Sequence, residues 1–209
     1  MAFSFEPIRA RRVFIGVCVL ALAVWGCSSV SSPPDRFYDL KVRTSDGGAG
    51  ACHVPGVLVV NRPQADALID ELGLVYRPEE DSPQLRRHVY HLWADPPTLM
   101  IQSELAAYLK KRGVADTVVT PGLRARADYA LNGNIAEMHR VLGEDPTIVL
   151  ALDLNLVRLR DRKVLVQSAG VVTLPAPDVA AATQAYGVAA TSLFDQFLAT
   201  CQRDLAASK

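Results

Sequence analysis

The sequence predicts an α+β fold: one mostly antiparallel β-sheet with two amphipathic helices packed on one face, behind an export segment. Three patterns lead there. Thr147–Leu159 alternates, with Ile148, Leu150, Leu152, Leu154 and Leu156 on one side and Asp153 and Asn155 on the other, the period of a half-buried strand. Ile101, Leu105 and Tyr108 or Leu109 recur at helical spacing, and so do Tyr186, Ala190, Leu193, Phe197 and Cys201. Clusters of Gly, Pro and Asp punctuate what lies between.

The export segment comes first. Arg9, Arg11 and Arg12 precede the thirteen-residue apolar run Val13–Trp25, the n-region and h-region of a secretory signal. A span needs about 20 apolar residues, so the run is too short for a mature transmembrane helix. It ends in Leu22-Ala23-Val24-Trp25-Gly26-Cys27, which resembles a bacterial lipobox: Gly26 fits a narrow peptidase subsite, and the Cys27 thiol takes the acyl group. An ordinary signal with a chance cysteine, or an uncleaved anchor, are the alternatives. Ser28 follows in place of an aspartate, which resembles the sorting rule for the outer membrane. The expected organisation is a signal over 1–26, a lipidated Ser- and Pro-rich tether over 27–35 and a domain over 36–209.

The whole chain balances 22 basic against 22 acidic residues, and removal of the signal leaves 19 against 21. That balance offers no basic field for nucleic acid, and no block of like charge suggests an electrostatic partner. About 180 residues remain, enough for one domain with a proper core. Lipidation uses Cys27, and Cys52 and Cys201 are then an even pair in an oxidising compartment. They are expected to form a disulfide; two separate buried thiols are the alternative.

Along the domain, Phe37–Val42 reads as a first strand and Asp46–Gly50 as a loop. Gly56–Val60, between Pro55 and Pro63, reads as a strand buried on both faces. Leu74–Arg77 and Leu85–Trp93 form a hairpin around the polar turn Pro78–Pro83. After Asp95-Pro96-Pro97 a helix of about four turns runs to Lys110-Lys111-Arg112-Gly113, with proline at its start, basic residues in its last turn and glycine beyond. Thr117–Thr120 is a short strand. Asp128–Met138, with Tyr129, Leu131, Gly133 and Ile135 on one face, then Thr147–Leu159 and Val164–Leu174 form an antiparallel meander. A second helix covers Asp178–Leu205, with Asp178 as N-cap. The strands are too few, and too interrupted by helices, for an outer-membrane barrel.

No catalytic, cofactor or metal constellation is visible. His88 and His91 form an H-x-x-H pair, but residues three apart on a strand point to opposite faces. His53 and His139 have no partner in sequence. The loop 46–50 lacks the lysine and helix of a phosphate cradle, no G-x-S-x-G elbow occurs, and Glu79-Glu80-Asp81 fits a solvated turn.

The order of landmarks resembles the ABC-type transport auxiliary lipoproteins, the family that includes paraquat-inducible protein C. Those landmarks are the lipobox Cys27, Phe37-Tyr38-Asp39-Leu40, Val57–Val60 with Arg62-Pro63, Val75-Tyr76-Arg77, Tyr90, Trp93-Ala94-Asp95-Pro96-Pro97, Ala127-Asp128-Tyr129 with Leu131 and Gly133, and a closing Ala-rich helix. Trp93 reads as a core plug beside a helix start. The resemblance implies a non-enzymatic, membrane-anchored component of an envelope transport system, working with periplasmic MCE-domain proteins or ABC transporter components on lipids or other hydrophobic compounds. A pilotin-like lipoprotein or outer-membrane assembly factor is the second reading, and a homo-oligomer stays open.

Overall fold

Three long strands set the architecture of the computed structural model, which describes residues 32–43, 52–123 and 125–207. β7 (Tyr129–Val141), β8 (Thr147–Arg158) and β9 (Lys163–Pro175) form the expected antiparallel meander. Its leucine face is buried, with Ile148, Leu150 and Leu156 among the most enclosed side chains. β7 carries an extra residue at Ala136: Ile135 pairs with Leu152, and Glu137 already pairs with Ala151. This bulge changes the phase of the strand, so Leu131 and Ile135 face the core before it and Met138 after it.

The other edge of β7 is covered by three short strands laid end to end. β2 (Val54–Val60) lies beside its beginning, β3 (Gln64–Ala65) beside its middle and β4 (Gly73–Arg77) beside its end, all parallel to it. β5 (Arg86–Trp93) returns antiparallel to β4, as the hairpin reading expected. β1 (Arg36–Tyr38) is parallel to β5, and β6 (Ala115–Val119) is parallel to β2. The nine-stranded sheet is therefore mixed: long antiparallel ladders run on one side of β7, and on the other side short parallel pairs are joined by the antiparallel β4–β5 hairpin. Alternation along a strand reports which face is buried and says nothing of strand direction, which is why the parallel pairs were not foreseen. The first strand is shorter than the expected 37–42. Gly26, Cys27, most of the tether and the loop 46–50 lie outside the described residues.

α2 (Val179–Ala207) packs on the leucine face of β8 and β9, and α1 (Pro97–Lys111) packs on β2, β6 and α2. Asp178 caps α2 as expected, its Oδ1 accepting from Ala181 N at 2.8 Å. Tyr186, Ala190, Leu193, Phe197 and Cys201 form the buried stripe of α2. Gly187 is required there, because a Cβ would overlap the carbonyl oxygen of Lys41 where the chain leaves β1 and crosses the helix. The helices meet edge to face through Tyr108 and Phe194, with ring centroids 5.4 Å apart. The Tyr108 hydroxyl donates to Asp195. Burial, then that carboxylate, pushes the phenol above its ordinary pKa. Cys52 and Cys201 are joined as a disulfide with Cα atoms 5.4 Å apart, fastening α2 to the segment that leads into β2.

Candidate functional site

The helices cover one face of the β7–β8–β9 meander and leave the other bare. Across its middle, Asn132, Asn155 and Gln167 sit in register on the three strands and line an open cleft of about 480 Å³. The two ends of the meander differ sharply. Where β7 finishes, a cleft of about 810 Å³ is lined by Glu79, Glu80, Glu137, Glu144 and Asp145 together with Arg77 and His139. Where β7 begins, a cleft of about 320 Å³ is lined by Arg126, Asp128, Tyr129, Arg158, Leu159 and Arg160. The sequence shows no block of like charge, but the fold gathers acidic residues at one end of the meander and basic residues at the other. Two segments far apart in sequence build the basic end, so a window along the chain sees neither as a block. The signal that was available is the turn Arg158-Leu159-Arg160-Asp161-Arg162-Lys163, five of whose six residues are basic or apolar.

At the acidic end His139 is only 4% exposed. Arg77 Nε lies 3.5 Å from its Nε2, and Glu137 lies 3.7 Å from its Nδ1. Burial lowers its pKa and the Arg77 charge adds to this, against a smaller opposing pull from Glu137. Arg77 is itself anchored by donating to the Ser82 carbonyl.

A second histidine cluster corrects the H-x-x-H reading. The rings of His88 and His91 are in edge contact, with centroids 5.2 Å apart. β5 is irregular against β4, since Gly73 pairs with Leu92 but Val75 with Arg87, and the extra residues turn both rings to one side. His88 also packs on Tyr76, and the Tyr38 hydroxyl lies 2.8 Å from His91 Nδ1. Burial, then the neighbouring His91 and Arg140 charges, lowers the His88 pKa. Among the described residues no group of three or more His, Cys, Asp or Glu is placed to hold a metal ion. No described helix is long and apolar enough to cross a membrane.

A family model described as the ABC-type transport auxiliary lipoprotein component matches residues 38–197. The chain belongs to this family. Among solved structures it is similar to protein XCC0632 from Xanthomonas campestris, at 21% identity and TM-score 0.71, covering 83% of this chain and 99% of that one. A second structure, of an uncharacterised protein, is 15% identical at TM-score 0.60, again covering 83% and 99%. A PelC dodecamer from Paraburkholderia phytofirmans is 18% identical at TM-score 0.46, covering 76% and 94%. No curated protein matches the chain.

In this auxiliary lipoprotein the landmark residues serve the fold. Trp93 is 2% exposed and meets Tyr186 of α2 edge to face. Pro96 and Pro97 open α1, whose first turn has no cap from Pro96. Asp70 supplies one instead, its Oδ1 accepting from Thr98 N at 3.2 Å and Thr98 Oγ1 at 2.6 Å, and Arg62 ties to both Thr98 and Asp70. Asp128 Oδ2 accepts from Val57 N at 2.9 Å and lies over Gly56, where φ is +95° and a Cβ would strike the carboxylate. Tyr129 then starts β7 opposite Leu58. Tyr38 holds β1 to β5 through His91.

Proposed function

We propose that the chain is a non-catalytic, lipid-anchored component of an ABC- or MCE-type transport system that moves lipids or other hydrophobic compounds across the cell envelope and supports envelope integrity. The observation that carries this reading is the family match over nearly all of the folded domain. On this reading Cys27 holds the acyl chains in the inner leaflet of the outer membrane, and the domain 36–209 faces the periplasm as a binding module. Two clefts of opposite charge and a polar bare sheet face suit the recognition of a partner protein better than turnover. Anchoring raises the local concentration of the domain, so a modest intrinsic affinity is sufficient to hold a bridge between membranes.

Crosslinking in intact cells followed by identification of the partners tests the reading. Recovery of periplasmic MCE-domain or ABC transporter components is expected. Recovery of outer-membrane assembly or secretion components alone would replace it with the assembly-factor or pilotin-like reading. Growth on labelled palmitate tests the anchor: label should enter the wild type and be lost in Cys27→Ala.

A further inference from the structure

At the end of the meander where β7 begins, two distant segments meet. The segment before β7 carries Arg126, which lines one cleft with Leu159 and Arg160 of the β8–β9 turn, and that turn also carries Arg162 and Lys163. They are tied by Leu159 N donating to the Asp128 carbonyl at 2.9 Å. Arg158 is taken up by Asp161, with Nη2 2.6 Å from Oδ2. The side chains of Arg126, Arg160, Arg162 and Lys163 are exposed and in no ion pair among the described residues. Leu159 is 41% exposed beside them. Arg162 takes φ +57°, the left-handed conformation that lets the turn close tightly.

We propose that this basic end docks onto an anionic phospholipid surface. Guanidinium and ammonium groups answer lipid phosphates, and the exposed Leu159 reaches the boundary between headgroups and acyl chains. An acidic protein would engage the charges alone, whereas the exposed Leu159 among them gives the turn an apolar group to bury below the headgroups. Excess charge on one end also explains how a molecule of balanced composition can orient at a charged surface. The inference does not rest on the identity of the transport partner.

The full-length lipoprotein, reconstituted in phosphatidylcholine vesicles, is mixed with protein-free acceptor vesicles of phosphatidylcholine alone or with added phosphatidylglycerol, and docking is read by two-colour fluorescence cross-correlation. Docking is expected only with phosphatidylglycerol acceptors, and it should fade as salt is raised. Each lost basic residue should weaken it about fivefold, so the double variant Arg160→Glu, Arg162→Glu should lose more than about twentyfold while keeping the wild-type melting curve. Leu159→Ser should weaken docking and keep its salt dependence. Equal docking to both acceptors, none to either, or undiminished docking by the charge-reversed variant would overturn the proposal. Docking only when the acceptor also carries the lipoprotein would overturn it too, assigning the basic end to the acidic end of a second copy.

Discussion

The two ends of the β7–β8 ladder carry opposite charge and use it differently. At the acidic end the carboxylates surround groups that the fold has buried or bound: His139 lies beneath the strand surface and Arg77 is held by Ser82. At the basic end Asp128 and the Cys52–Cys201 bond do the fastening, and the remaining cations project outward. Charge that is woven into packing sets stability, whereas charge that is free sets association. Mutations should therefore separate the two ends by what they change.

The largest effect is expected from the fastener of the basic end. The Cys52–Cys201 bond closes a sequence separation of 149 residues, for which chain entropy gives a stabilisation on the order of 5 kcal/mol as an upper figure. Cys201→Ser should lower unfolding free energy by several kcal/mol and speed amide exchange in β2 and the last turns of α2 before the acidic end is affected. Uniform acceleration through the whole domain would show that the two ends open as one. Alkylation of the non-reduced, unfolded protein should modify neither thiol.

Next comes the acidic end. His139 and His88 both have pKa values lowered by burial, so the folded chain binds fewer protons than the unfolded chain, whose histidines titrate near 6.5. Their neutral forms are compatible with the fold above that value, and stability should fall as pH drops below about 6.5. His139→Gln should cost about 1–3 kcal/mol at pH 8, from lost packing and partners, and should flatten part of the acid limb. Denaturant titrations at pH 8 and pH 5.5 measure both; an acid limb unchanged by the substitution would assign it to His88 and other groups. Charge reversal at Arg160 and Arg162, by contrast, should stay within about 0.5 kcal/mol of wild type at either pH.

How much of this was legible in the sequence depended on whether the signal was local. The alternation of Ile148 to Leu156 and the helical stripe from Tyr186 to Cys201 each report a face directly, and both faces are buried as read. Asp178 and Pro97 are local start signals and act as such. Strand direction was invisible, because β2, β3 and β4 are fixed in parallel along β7 by pairings such as Leu58 with Tyr129, Gln64 with Asn134 and Tyr76 with Arg140, all distant in sequence. The bulges were invisible for a related reason: an extra residue at Ala136 or in β5 is defined against the partner strand, and the second of these brought His88 to His91 against the simple period-two rule. The charged ends failed on averaging, since a net sum cannot distinguish mixed charges from separated ones.

The smallest and most local effect concerns Asp161 in the basic turn. Its carboxyl is held at about 2, below its ordinary 3.8, chiefly by hydrogen bonds from Arg158, whose Nε lies 3.0 Å from Oδ1. The backbone N–H of Lys163 and the charges of Arg158 and Arg160 add to this, against a desolvation that raises it. A depressed carboxylate contributes above its unfolded pKa and loses that contribution as pH falls toward the folded value, so this group is silent in the window where the acidic end loosens. The side chain is exposed at the turn, so the effect should appear as a titration midpoint and not as a change in melting. Carboxyl NMR should place the midpoint near 2, and Arg158→Ala should move it most of the way back to 3.8, with Arg160→Ala moving it less. A midpoint that stays near 2 without Arg158 would mean that the turn backbone and the surrounding cations hold the carboxylate. The basic end would then owe its shape to the tight turn at Arg162, and the division between woven and free charge would extend to Arg158 as well.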